Sequence, residues 1–203
     1  MTFLALEKET VKGNSVAFPF CNENSGLLSL KTNPSDQGDG ECLILFKVFD
    51  LKKVGGDKDE LYIQDIYSYG PVNEGYGSAA MRALIRYSIS KKYGKIRGLI
   101  SPDDHDHIPR LHHFYKKHGF QLPEGKCGET FLDLSNPAYI LSQIDNQLLV
   151  EENAFIKNHY VALSNEFKKL EQELERLELE KENEPIPVKF LNRIIHKTKL
   201  NIK

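Results

Sequence analysis

The chain has 203 residues, 40 % of them hydrophobic, and a formal charge of −2 from 27 basic and 29 acidic side chains. That is enough apolar material for one core plus an appendage, and the charge balance exerts no overall pull toward nucleic acid or an anionic membrane. No apolar run is long enough to span a bilayer, and Cys21, Cys42 and Cys127 form neither a disulfide framework nor a zinc pattern, so a cytoplasmic protein with free thiols is expected.

The opening, Met1 to Glu9, lacks the layout of a signal peptide and reads as a first strand. Ser15 to Cys21 and Leu27 to Leu30 are short apolar strand candidates. Asn33 to Gly40 is a loop by composition. Cys42 to Phe49 is nearly continuous in apolar residues, which predicts a strand buried on both faces. Lys52 to Glu60 reads as a hairpin connection to a further strand beginning at Leu61.

The stretch Leu61 to Phe120 organises the rest. Leu61 to Tyr69 is a strand, Gly70 to Gly77 a glycine turn, and Ser78 to Tyr93 a helix with Met81, Leu84, Ile85 and Ile89 on one face. Arg82 and Arg86 fall elsewhere on that helix, and Gly94 is placed to end it. A strand over Ile96 to Ser101 then makes a crossover unit, so the two strands are expected parallel and adjacent. A short helix follows, with Pro109 in its first turn and Gly119 just past its last. Thr130 to Leu134 reads as a late strand.

From Ala138 to about Asn183 there is neither glycine nor proline. Leu149, Ile156, Leu163, Leu170 and Leu177 recur every seven residues, with Asn153, Tyr160, Phe167 and Leu174 in the companion positions. This predicts a coiled coil over 138–183 and, from its outer charges, a homodimer. The division expected is a domain over 1–135 and a helical arm over 136–203. The basic amphipathic tail 188–203 is expected to pair with the acidic helix before it, which leaves little reason to invoke nucleic acid.

Three motifs in order carry a resemblance. Leu61-Tyr62-Ile63-Gln64-Asp65-Ile66-Tyr67, then Glu74-Gly75-Tyr76-Gly77-Ser78-Ala79, then Phe114-Tyr115-Lys116-Lys117-His118-Gly119-Phe120 resemble the central strand, pyrophosphate loop and Phe-Tyr-x-Lys-x-Gly-Phe segment of the GNAT acyltransferases. The resemblance covers Thr2 to Leu134 in outline, and about sixty residues carry it. It implies an α/β fold with a mixed, mostly antiparallel sheet flanked by helices. It also implies direct acetyl transfer from acetyl-CoA to an amine, without a covalent enzyme intermediate. It assigns the cofactor to Ile66, Tyr67, Ser68, Asn73, Glu74, Gly75, Tyr76, Gly77, Ser78 and Ala79, with Arg82 supplying positive charge, and the acid role toward the departing thiolate to Tyr115. The chain departs from the pattern at Val72, where Arg or Gln is usual, at Glu74, which sets a negative charge beside the loop, and at Ile108, where Asn is common. The first sixty residues also lack the family's usual pair of helices.

Each motif has a plainer reading. Gly75 and Gly77 can converge the N–H groups of Glu74 to Ala79 on an anion at a helix start, or simply supply positive φ. Tyr115 can protonate a leaving thiolate, or pack with Ile108 and Leu111. Asp65 is the foremost candidate base, ahead of Glu60. Strand alternation sets it on the face of Ile63 and Tyr67, and if that face is buried it is a structural acceptor instead. His105, His107, His112, His113 and His118 lie close together, but adjacent His112 and His113 point to different sides of a helix, so no metal site is expected. The competing function is a catalytically idle domain of the same fold that serves as an interaction module through its coiled coil.

Overall fold

The computed structural model describes residues 4–10, 16–35, 40–70, 74–182 and 190–193. In chain order these form strands β1 (Leu4–Ala5), β2 (Glu9–Thr10), β3 (Val16–Asn22), β4 (Leu27–Lys31), β5 (Cys42–Phe49) and β6 (Glu60–Ser68) and helix α1 (Tyr76–Ser90). Strand β7 (Lys95–Ile100), helix α2 (Ile108–Lys117), strand β8 (Gly128–Asp133) and the long helix α3 (Pro137–Glu182) complete them. The sheet runs β1-β3-β4-β5-β6-β7-β8, with β2 paired to β3. Every pairing is antiparallel except β6 with β7, the pair that the crossover through α1 makes parallel. The protein is thus a mixed α/β fold with a mostly antiparallel sheet and one long helix.

The core joins Leu28, Leu30, Ile44, Phe46, Leu61 and Ile63 of the sheet to Ala80, Met81, Leu84 and Ile85 of α1. Side chains of this size contribute about 1.5–3 kcal/mol each when fully buried. α1 is buried almost all round rather than on one stripe, because β2 and the first turns of α3 cover what the sheet leaves open. It ends before Gly94: Lys92 takes the left-handed conformation at φ 60°, and Gly94 N–H donates to Asp59 O at 2.8 Å. β5 is buried only over its first half, and Lys47, Val48 and Phe49 are exposed. That differs from the expectation of burial on both faces.

The chain divides into two compact units, Met1–Phe155 and Ile156–Lys203. The division expected at 135 falls at the start of α3, but Ile140 and Ile144 are buried in the core, and that packing carries the first unit on to Phe155. In the second unit, Ile156, Tyr160, Leu163, Phe167, Leu170, Leu174 and Leu177 are helical and exposed. Most of the tail over 188–203 lies outside the described residues.

Candidate functional site

The two parallel strands part company early. β6 and β7 pair only at Glu60 with Lys95, Leu61 with Ile96 and Tyr62 with Arg97. Beyond that both continue, β6 to Ser68 still paired with β5, and β7 to Ile100 still paired with β8. The inner edges of Ile63–Ser68 and Gly98–Ile100 therefore have no strand partner across the gap, and a wedge opens between them toward the carboxyl ends of the strands. Open α/β sheets commonly bind ligands at that end.

A register shift in β6 decides what faces the wedge. Leu45 pairs with Asp65 but Phe46 pairs with Ile63, so Gln64 is an extra residue. Such a bulge breaks the two-residue alternation. Ile63 remains buried while Asp65 and Tyr67 are exposed, so Asp65 does not share the face of Ile63 as strict alternation predicts. Asp65 Oδ1 accepts the N–H of Ile66 at 2.8 Å. The Tyr67 hydroxyl donates to the same carboxylate, which raises its pKa. Ser68 pairs with Cys42 at the far end of the strand.

Tyr115 enters from α2 and is 4 % exposed. Its hydroxyl lies against Gly98, just past Arg97, the last residue of β7 that pairs with β6. A Cβ at that position would stand 3.0 Å from Oη and 3.4 Å from Thr130 Cγ2. Burial pushes the Tyr115 pKa up, helped by nearby Tyr62, Asp104 and Asp65, so the phenol keeps its proton at neutral pH. The structure thus brings Tyr115 and Asp65 within electrostatic reach of each other. The sequence signal for this contact is Gly98 itself, because a glycine inside a strand is a sign of close approach.

The glycine turn lies at the start of α1. Gly75 caps the helix in the left-handed conformation at φ 88°, with no side-chain cap. Its carbonyl accepts Ala79 N–H at 2.9 Å, so the N–H groups of Tyr76, Gly77 and Ser78 precede the first intrahelical bond. A Cβ added at Gly77 would stand 3.6 Å from the Phe114 ring, so α2 packs near the turn through the residue next to Tyr115. Glu74 is half-buried at the turn's entry. Asn73 and Val72 lie outside the described residues.

Arg82 does not serve the turn. It is 1 % exposed, and its Nε donates to Glu9 Oε2 at 2.9 Å, with Glu9 itself 4 % exposed. Its Nη1 lies 3.9 Å from Glu151 Oε2. The expectation that Arg82 supplies charge to a phosphate therefore gives way to a buried structural pair. Lys117 takes the place nearest the turn, with Nζ 3.1 Å from Ser78 Oγ and 2.8 Å from Glu151 Oε1.

The histidines disperse. His112 Nε2 donates to Lys126 O at 2.7 Å, while His118 is buried with neither ring nitrogen hydrogen-bonded. Among the described residues no group of three metal-ligating side chains converges, and no helix is long and apolar enough to cross a membrane. Two grooves, of about 770 and about 300 Å³, are lined by α2 with α3 and by α1 with β2. Neither of these two is lined by Asp65, Gly75, Gly98 or Tyr115.

No protein-family model matches the chain. A stretch of 64 residues is 39 % identical to YocC of Bacillus subtilis (strain 168), itself described as uncharacterized, and spans 32 % of this chain and 38 % of that protein.

Proposed function

We propose that this chain is an acetyl-CoA-dependent N-acetyltransferase of the GNAT type. The observation that carries the reading is the Tyr115 hydroxyl set at the parting of β6 and β7. Acetyl-CoA supplies an activated acyl thioester. The unpaired edge Ile63–Ser68 offers backbone groups to an extended ligand, and the left-handed turn at Gly75 offers helix-start N–H groups to its phosphates. Ile66, Tyr67, Ser68, Glu74, Gly75, Tyr76, Gly77, Ser78 and Ala79 are the contact residues. Phosphate charge is met by those N–H groups and by Lys117.

The acceptor's neutral amine attacks the thioester carbonyl, and the carbon–sulfur bond breaks as the new carbon–nitrogen bond forms. The Tyr115 phenol gives its proton to the departing sulfur. The proton lost by the amine goes to Asp65, directly or through water, and Tyr115 is reprotonated from solvent. Buried, free Cys21 and Cys42, whose thiols burial pushes to about 11 and about 12, suit a reducing cytoplasm. The exposed seam of α3 supports self-association into a homodimer. A second reading, an idle module of the same fold, draws on the negative charge that Glu74 brings to the turn.

Release of free thiol from acetyl-CoA, followed against a panel of primary amines, tests the activity. An amine-dependent rate that falls in Tyr115→Phe supports transfer. Binding of acetyl-CoA with no turnover on any amine favours the idle module.

A further inference from the structure

In the second unit the apolar seam of α3 lies open from Ile156 to Leu177, its side chains 49 % to 74 % exposed. A helix draws most of its stability from packing such a stripe, and an apolar band of this length marks an interaction surface. The positions on either side of the seam select what can cover it. With Leu163, Leu170 and Leu177 at one seam position and Phe167 and Leu174 at the other, the flanks from 166 to 180 are Glu166, Glu171, Glu173, Glu178 and Glu180. All five are glutamate, and all five are exposed. The basic residues of the same stretch, Lys168, Lys169 and Arg176, fall on the outer face. Arg176 Nη2 donates to Glu173 Oε1 at 2.6 Å, and its Nε lies 3.9 Å from Glu180. Glu166, Glu171 and Glu178 form no ion pair among the described residues.

A helix laid on the seam brings its own flanking positions within ion-pairing distance of these glutamates, so like charges are rejected and opposite charges chosen. A second copy of the chain sets glutamate against glutamate. A helix with lysine or arginine at those positions answers every one of them. We infer that the seam of α3 takes an amphipathic helix of another protein, one with the same apolar repeat and basic residues on both sides of it. This rests on the coiled-coil reading of α3 and makes self-association the weaker pairing of the same surface. It is independent of the acetyltransferase reading. Because charge sets the choice, salt moves the two pairings in opposite directions: screening loosens the mixed pair and tightens the pair of like chains.

The test is titration of the full chain with two labelled three-heptad peptides, read by fluorescence anisotropy. Both carry leucine at the seam positions; one has lysine on both flanks and the other glutamate. At low salt the lysine peptide is expected to bind at least about tenfold more tightly, with the gap narrowing as salt is raised. A variant with Glu166→Lys, Glu171→Lys, Glu173→Lys and Glu178→Lys, all at exposed positions, should prefer the glutamate peptide instead. Leu170→Glu with Leu174→Glu should lose both peptides. Equal binding of the two peptides at low salt, a lysine-peptide affinity that does not fall with salt, or a preference that survives the charge reversal overturns the inference. A homodimer that the lysine peptide cannot displace also overturns it and leaves self-association standing. A chain that is monomeric at every salt concentration yet binds the lysine peptide supports it and removes the homodimer.

Discussion

The Tyr115 hydroxyl lies against Gly98, the single glycine of β7, so closely that an added Cβ would come to 3.0 Å from the oxygen. The relationship explains why a glycine interrupts a strand that is otherwise β-forming. It also sets the phenol at the point where β6 and β7 separate. Tyr115→Phe is expected to lower kcat by about 10²-fold or more while leaving the affinity for acetyl-CoA nearly unchanged. Steady-state rates set beside calorimetric binding check this. A loss of affinity as large as the loss of rate would mean the hydroxyl supports packing alone.

Gly75 is strained for any other residue at φ 88°. Gly75→Ala should cost about 1–2 kcal/mol of stability and weaken acetyl-CoA binding by more than that cost explains. Urea unfolding and titration on the same preparation separate the two effects. A variant that is destabilised but binds as wild type would reduce the turn to a structural device.

The Glu9–Arg82 pair is buried on both sides. Removing Glu9 takes from a buried guanidinium the carboxylate at 2.9 Å, with Glu151 still at 3.9 Å, so Glu9→Ala should cost up to about 3–5 kcal/mol, whereas Glu9→Leu with Arg82→Met should recover most of it. Arg86, which also reaches Glu9 at 3.3 Å, keeps Asp145 as a second partner and softens the single loss. Urea midpoints of Glu9→Leu, Arg82→Met and the double variant decide; additive single losses in the double variant would mean the pair is not coupled.

Much of the fold was legible because its signals are local. The apolar runs of β3 to β8, the glycine turn before α1 and the seven-residue repeat of α3 all depend on near neighbours. What escaped depends on distant ones. Arg82 is drawn into the interior by Glu9, more than seventy residues away, and nothing near Arg82 announces it. The bulge at Gln64 turns Asp65 from the buried face to the open one, and a single extra residue leaves no mark in the pattern of Leu61 to Tyr69. The repeat of α3 begins at Leu149, and Ile140 and Ile144 ahead of it are buried against a core built from distant strands, so the helix starts within the first unit rather than as an arm.

His118 is 4 % exposed, and burial chiefly, then Lys117 and Arg82, lowers its pKa from the ordinary 6.5 to about 3. The folded state holds it neutral while the unfolded chain takes up a proton below about 6.5. Its stability contribution is therefore complete above about pH 6.5 and is lost toward pH 3, at about 1.4 kcal/mol per pH unit. Melting temperatures across this range should fall more steeply for wild type than for His118→Phe. Parallel curves would place the acid sensitivity elsewhere.

Self-association through the α3 seam sets like charges together. In a parallel pair Glu166 faces the partner's Glu171 and Glu173 the partner's Glu178, while Lys168, Lys169 and Arg176 lie off the seam. The proposed homodimer should therefore tighten as salt screens these pairs. Leu170→Glu with Leu174→Glu should abolish it without unfolding the first unit. Sedimentation at low and high salt reads both effects, and a dimer indifferent to salt and to these substitutions would place the interface elsewhere.

The central claim, that the opening between β6 and β7 seats acetyl-CoA, is tested most directly by the melting of the full chain with and without CoA. At about a hundred times the dissociation constant, binding stabilises by about 2.7 kcal/mol, which for a chain of this length raises the midpoint by about 5–10 °C. That shift is expected, and it should shrink in Gly75→Ala. No shift at saturating CoA or acetyl-CoA would contradict it.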